Sequence, residues 1–187
     1  MQSKTAFVLL GILKERPMNP YEIVKILDRL NISRWSPIST SSVYASIRTL
    51  EKKSLITGEK FKTTAMPEKT VYSVTSAGNA AFLTALKDYL TNDITDITKF
   101  NLGTLFLCHL EKKDVIRILK ERSGLITGNI QETEEVYRTF KKREAPEYAL
   151  ISLVHNLNFY SAELSSVKIM LREIEKSDSW DHFLTNV

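Results

Sequence analysis

The chain has 187 residues, 43% hydrophobic and 26% charged, with six Gly and five Pro, a composition that excludes disorder, collagen and tandem arrays and suits one domain or two small ones. Its longest uncharged run, residues 148–162, is shorter than the roughly 20 apolar residues a membrane helix needs, no secretory leader pattern stands at the N-terminus, and Cys108, alone in the chain, has no internal disulfide partner, so a cytoplasmic setting with no membrane partner is expected. Residues 1–90 hold 13 Lys and Arg against 7 Asp and Glu, and residues 91–187 hold 13 against 15, so the net +4 splits into +6 and −2 and points to a polyanion partner for the first half.

In chain order, Phe7, Leu10 and Leu13 recur at helical spacing until Pro17. Asn19-Pro20 then offers an N-cap with Pro at the first helical position, opening a second helix through Ile23, Ile26, Leu27 and Leu30. The Ser39-Thr40-Ser41-Ser42 cluster supplies caps for a third helix reaching about Lys53. Leu55 to Lys62 and Thr70 to Val74, separated by a turn-like stretch from Thr63 to Glu68, predict a β-hairpin. Thr75 and Ser76 cap a fourth helix running to Leu90. Three helices, a hairpin and a helix are the order of a winged helix-turn-helix.

The segment from Thr91 to Thr98 is rich in residues whose side chains compete with helical backbone bonding, and the domain boundary is expected there: 1–90 as the winged helix, 91–99 as linker, 100–187 as a helical domain. That second domain is read as three helices, Asn101 to Leu110, Lys113 to Arg143, and Glu147 to Lys176 behind Pro146 at N1. In the last of these Leu150, Leu153, Leu157, Tyr160, Leu164, Val167, Leu171 and Ile174 alternate steps of three and four, and Ile151, Val154, Ala162 and Ile169 widen the apolar face. One neighbour leaves part of that surface uncovered, so these residues are expected to make a homodimer.

On the third helix, Val43, Ile47 and Leu50 share the core side while Ser41, Ala45, Arg48 and Lys52 lie opposite, with Tyr44 at the flank and Ser42 among the small residues at the start. Short side chains allow close approach to a groove, and Arg48 reaches base edges or phosphates. Lys60, Lys62 and Lys69 in or beside the hairpin suit contact with the sugar-phosphate backbone. The expected DNA-binding set is therefore Ser41, Ser42, Tyr44, Ala45, Arg48, Lys52, Lys60, Lys62 and Lys69. For each, an ordinary solvated face is the plain alternative.

These residues resemble a known family. Asn19-Pro20-Tyr21-Glu22-Ile23 resembles the S-G-Y-E-I opening of helix 2 in PadR-family transcriptional regulators. Ser41-Ser42-Val43-Tyr44 through Leu50-Glu51 and Leu55-Ile56 resembles their G-S-I-Y-P-x-L-x-x-L-E-x-x-G-L-I stretch, and Tyr72 to Gly78 is similar to their Y-x-L-T-x-x-G junction. Pro20 and Ser54 stand where that pattern has Gly, and Ala45 where it has Pro. The resemblance implies a mainly α fold with a small β-wing and a C-terminal dimerisation domain, and a dimeric repressor reading a palindromic double-stranded operator. It also implies a small aromatic or amphipathic effector; Trp35, between helices 2 and 3, is the residue proposed to meet it.

No enzyme is expected. The chain has no G-x-G-x-x-G, P-loop or G-x-S-x-G. Cys108 and His109 are adjacent, and neighbouring side chains on a helix diverge by about 100°, so they form no nucleophile and base pair and Cys108 reads as a small core residue; His155 and His182 are distant in sequence with no Cys, Asp or Glu cluster beside them at metal-ligand spacing, so no metal ligand or cofactor is assigned. Two other functions fit the composition: an adaptor binding protein through a degenerate winged helix, and a helical protein binding a small molecule.

Overall fold

The structure, a computed structural model, describes residues 3–63, 66–91, 95–177 and 180, with the side chains of Ser33, Lys62, Thr63 and residues 66–68 outside that description. The chain divides into two compact units, the first running to Leu110 and the second from Glu111 to Trp180.

The first unit is built on α1 (Lys4–Glu15), whose residues Phe7 to Leu13 are buried almost without exception because other elements surround it. It packs against α3 (Thr40–Lys52), α4 (Ser76–Thr91), α5 (Ile97–Thr104) and the second strand of the wing. Ser3 caps α1, its hydroxyl accepting the Ala6 N–H at 3.1 Å. Between α1 and α3 lies α2 (Pro20–Arg29), opened by a reciprocal cap: Asn19 Oδ1 accepts from Glu22 N–H at 3.1 Å while Glu22 Oε2 accepts from Asn19 N–H at 3.0 Å.

The wing pairs β1 (Ile56–Thr63) with β2 (Met66–Val74) antiparallel, with Ile56 opposite Val74 and Lys60 opposite Thr70. The hairpin is longer than predicted, since residues 66–69 lie in β2 and not in a turn. Met18 and Tyr72 exchange both backbone hydrogen bonds at 3.1 and 2.9 Å, tying the segment before α2 to the wing.

Two sequence expectations change. The helix expected over Asn101 to Leu110 is α5 over Ile97–Thr104 followed by a 3-10 turn at Leu107–His109, and this segment belongs to the first unit. Its side chains decide the matter: Phe106 is fully buried, edge-on to Phe7 at 5.6 Å and to Phe82 at 5.7 Å between ring centroids, and Phe100 and Leu102 are buried as well. The described residues of the expected linker, 91 and 95–99, therefore belong to the first unit, residues 92–94 lying outside the described residues, and the units divide at Leu110/Glu111. An apolar helical pattern shows that a helix packs, but not on which core.

The second unit consequently has two helices instead of three, α6 (Lys112–Lys142) and α7 (Glu147–Lys176), which run antiparallel. Lys112 Nζ donates to Ser177 O at 2.6 Å, and Lys120 meets Glu175 at 3.3 Å. Pro146 is the N-cap of α7 in place of the expected N1 residue.

Three helices stop on a residue with left-handed backbone that is not glycine: Asn31 after α2, Ser54 after α3 and Glu144 after α6, with φ of 51°, 56° and 51°. After α3 the pattern is a full Schellman motif, with Leu55 N–H donating to Leu50 O at 2.9 Å and Ser54 N–H to Glu51 O at 2.8 Å. Glu144 and Ala145 repeat it on Lys141 and Phe140.

Candidate nucleic-acid interface

The capping box of α3 fixes where the helix begins. Ser42 N–H donates to Ser39 Oγ at 3.2 Å, Ser39 N–H to Ser42 Oγ at 3.0 Å, and the Ser42 hydroxyl donates to Ser39 O at 2.7 Å. Ser41 Oγ sits 2.9 Å from Ser39 Oγ. Two of the small residues proposed for DNA contact are thus also parts of the cap, and the Ser42 hydroxyl is committed to it as donor and acceptor.

Below the cap the helix divides into the two faces read from the wheel. Val43, Ile47 and Leu50 are buried, while Ser41, Tyr44, Ala45, Arg48 and Lys52 are exposed, Tyr44 at 43%. A shallow hollow in the exposed face is lined by Ala45, Arg48, Thr49, Lys52 and Lys53. A second hollow runs from Ser3, Thr5 and Ala6 to Ser42, Ala45, Ser46, Thr49 and Lys53. Both exist because Ala45 has no side chain beyond Cβ and because Thr49 turns its hydroxyl back to donate to Ala45 O at 3.0 Å. Lys53 and Thr49 were not singled out from the sequence; the Lys52-Lys53 pair was the signal that places a second cation here.

The wing register separates its lysines. Residues directly opposite share a face, and neighbours along a strand alternate. Lys69 stands opposite Phe61, so it shares a face with Phe61 and Glu59, whereas Lys60 lies on the other face with Thr70. Lys60 and Lys69 are both exposed. The side chain of Lys62 lies outside the described residues.

One local lock positions wing and α3 together. Thr75 Oγ1 donates to Ser54 O at 2.8 Å and stands 3.1 Å from Leu55 O, its own N–H donates to Leu55 O at 3.0 Å, and Oγ1 accepts from Gly78 N–H at 3.0 Å. The chain after α3, the end of β2 and the start of α4 meet at this threonine. Gly78 is required by the same contact, because a Cβ there would run into the Leu55 carbonyl. At Gly58 a Cβ would stand 2.8 Å from the Tyr72 ring and from the Thr70 methyl. Burial, with the Glu51 carboxylate nearby, holds the Tyr72 phenol above its ordinary range.

The remaining predicted sites lie elsewhere. Trp35 is 38% exposed at the end of the 3-10 turn Ile32–Arg34. Of the eight residues proposed for the dimer, Val167 is buried and the other seven are half-buried. The flanking stripe is open, with Ile151 at 66% exposed and Val154 and Ile169 also exposed, as are Leu125, Val136 and Phe140 of α6. None of the described helices is long and apolar enough to cross a membrane.

Residues 9–84 match the profile of the Transcriptional regulator PadR-like family. Among solved structures, that of Bacillus subtilis PadR in complex with operator DNA is 17% identical over 93% of this chain and 99% of its own, with a TM-score of 0.45. The smu.1604c protein of Streptococcus mutans UA159 is 24% identical over 92% and 99%, with a TM-score of 0.42. Bacillus subtilis PadR in complex with p-coumaric acid is 17% identical over 93% and 100%, with a TM-score of 0.39. No curated protein sequence matches the chain.

Proposed function

We propose that this chain, whose residues 9–84 match the transcriptional regulator PadR-like family, is a DNA-binding regulator acting as a dimeric repressor that reads a two-fold symmetric operator. The observation that carries the proposal is the division of α3: a fully apolar buried side and an outward side that is small at Ser41 and Ala45 and cationic at Arg48, Lys52 and Lys53. In this reading α3 lies in the major groove, Arg48 meets base edges, Lys52 and Lys53 meet phosphates, and Lys60 brings one face of the wing to the adjacent backbone. Repression follows if the operator overlaps a promoter, since occupancy then blocks polymerase.

A small winged helix makes few base contacts, so two copies are needed for tight binding, with half-sites one helical turn apart, about 34–36 Å. The exposed stripe Ile151, Val154 and Ile169 of α7 supplies the surface for the second copy, with the half-buried row Leu150 to Ile174 behind it. A small aromatic or amphipathic effector, the remaining part of the reading, stacks on the exposed Trp35 and binds the DNA-free form more tightly, which is the condition for releasing the operator.

The test is binding to a palindrome found upstream of the protein's own gene. Specific complexes at two chains per site, weakening steeply with salt, support the reading. Salt-insensitive affinity, or none for any duplex, favours a protein-binding adaptor instead. For the effector, ligands that quench fluorescence in the wild type but not in Trp35→Phe should also lower operator affinity.

A further inference from the structure

Outside the DNA face, the most chemically loaded place in the first unit is the end of α1. Glu15 is the last residue of that helix, and Cys108 and His109 lie in the 3-10 turn that follows α5. One donor atom from each, a carboxylate oxygen, the thiol sulfur and an imidazole nitrogen, lies within 4.8 Å of the other two. His109 Nε2 stands 2.9 Å from Glu15 Oε1, with the two side chains only 2% and 5% exposed. Adjacent side chains diverge in a 3-10 turn as they do in an α-helix, by about 120°, and the three donor atoms come together because α1 brings Glu15 across to the turn.

We propose that Glu15, Cys108 and His109 form a binding site for a borderline transition-metal dication, Zn2+ in the first instance. The donor set selects for that class: thiolate and imidazole favour zinc over magnesium or calcium, which prefer oxygen ligands alone. The charges also match. On binding, the Cys108 thiol gives its proton to solvent and the proton between His109 Nε2 and Glu15 Oε1 leaves that nitrogen, to Nδ1 of the same ring or to solvent, so one thiolate and one carboxylate neutralise the dication while a neutral imidazole ligates through Nε2, which suits a buried position. The geometry is close to what the ion needs. A tetrahedral site with zinc's nitrogen and oxygen bond lengths has an edge of about 3.4 Å, so moving Nε2 and Oε1 apart by about half an ångström and drawing in the sulfur completes three corners. Water or an exogenous ligand takes the fourth, as in zinc sites with three protein ligands.

The surroundings hold the imidazole in place. The His109 ring lies edge-on to Phe82 at 5.4 Å and stacks near Phe106 at 6.1 Å between centroids, both rings fully buried. Such an apolar shell fixes the ligand's orientation and restricts water. The site also ends the helix that packs along α3, so an ion bound there stiffens the element that backs the DNA face.

Cobalt tests this directly, because Cys108 is the only cysteine in the chain and any thiolate-to-cobalt charge-transfer band is its own. Full-length protein stripped with a chelator is titrated with Co2+ and then with Zn2+. The proposal expects one Co2+ per chain, a charge-transfer band in the near ultraviolet, and displacement by an equivalent of Zn2+. It expects Cys108→Ser to abolish the band, and both Cys108→Ser and His109→Gln to weaken Zn2+ binding at least tenfold. It is overturned by absence of the band, by one ion per two chains, which would mean Cys108 bridging two molecules, or by unchanged Zn2+ affinity in Cys108→Ser. Should either variant lose its helical circular dichroism, alkylation of wild-type Cys108 by iodoacetamide decides. Zn2+ must slow that reaction at least tenfold, and an unchanged rate leaves the Glu15–His109 contact as a buried structural pair.

Discussion

The guanidinium of Arg122 on α6 and the carboxylate of Glu163 on α7 lie 2.8 Å apart at Nη2–Oε1, with their side chains 0% and 6% exposed, in two helices whose other buried residues, Val115, Ile118, Leu119, Ile126 and Val167, are all apolar. Breaking such a pair leaves one buried charge without its counterion, at a cost of about 3–5 kcal/mol, whereas replacing both partners with apolar groups is often neutral. Arg122→Met and Glu163→Leu should each strongly lower the denaturation midpoint, and the double variant should recover most of the loss. A double variant as unstable as the sum of the two would show that the residues act independently.

On the DNA face, Arg48→Ala is expected to cost about 1–3 kcal/mol of operator affinity and to relax preference at one base position. Lys60→Ala should weaken all sequences alike and flatten the salt slope by about one unit. Because Lys60 and Lys69 occupy opposite faces of the hairpin, Lys69→Ala should have the smaller effect. Titrations at several salt concentrations against specific and scrambled duplexes separate these outcomes. An unaltered slope in Lys60→Ala would remove that face of the wing from the contact.

For the dimer, Ile151 and Val154 are better probes than the half-buried row, since a charge placed on an exposed side chain spares the monomer's fold. Ile151→Glu and Val154→Glu together should give a single-chain mass by light scattering at micromolar concentration, with helical content retained and tight operator binding lost. A wild-type mass of one chain under the same conditions would refute the dimer itself.

The left-handed residues make a prediction of opposite sign. Ser54→Gly relieves a conformation that costs a residue with a Cβ about 1–2 kcal/mol, partly offset by glycine's greater freedom in the unfolded chain, so a gain of roughly 0.5–1 kcal/mol is expected. Gly78→Ala should lose about 1–3 kcal/mol through the clash with the Leu55 carbonyl. Thermal midpoints of the two variants should therefore move in opposite directions.

Asp96 gives a pH dependence. Partial burial pushes its carboxyl up, but hydrogen bonds from Lys4 Nζ at 2.9 Å and from Lys99 N–H at 3.0 Å, with the charges of both lysines, outweigh it and hold the group below the usual carboxylate range. A folded-state value below the unfolded one means the contribution is complete above about pH 4 and is lost as pH falls through the folded value. The stability difference between wild type and Asp96→Asn should thus be full at neutral pH and shrink on acidification. A constant difference would show that the ion pair contributes nothing.

How far the residues announce this arrangement depends on the reach of the interaction. The caps at Asn19 and Ser39 are contained within four residues, and both are plain in the sequence. The core side of α3 follows from period alone. By contrast, assigning Phe100 and Phe106 to the first core depends on contacts with Phe7 and Phe82 that no local pattern encodes. The same holds for Glu15 meeting His109, and for the wing lysines, whose faces are set by a pairing register that the turn-like stretch from Thr63 to Glu68 concealed. The ends of α3 and α6 fall within one residue of the expected Lys53 and Arg143, but the left-handed conformation of Ser54 and Glu144 is not legible, because it is held by backbone hydrogen bonds without the glycine that advertises it.

The closure of α3 at both ends has a kinetic consequence. Its first turn is fixed by Ser39 and Ser42, its last by the Leu55–Leu50 bond, and the strand beyond it by Thr75. A helix so fully preorganised has little disorder left to surrender on entering a groove. Uncharged substitutions on its outer face, such as at Ser41 or Ala45, should then leave the association rate nearly untouched and register mainly in how long each complex survives, whereas loss of Arg48 or Lys52 also slows the encounter.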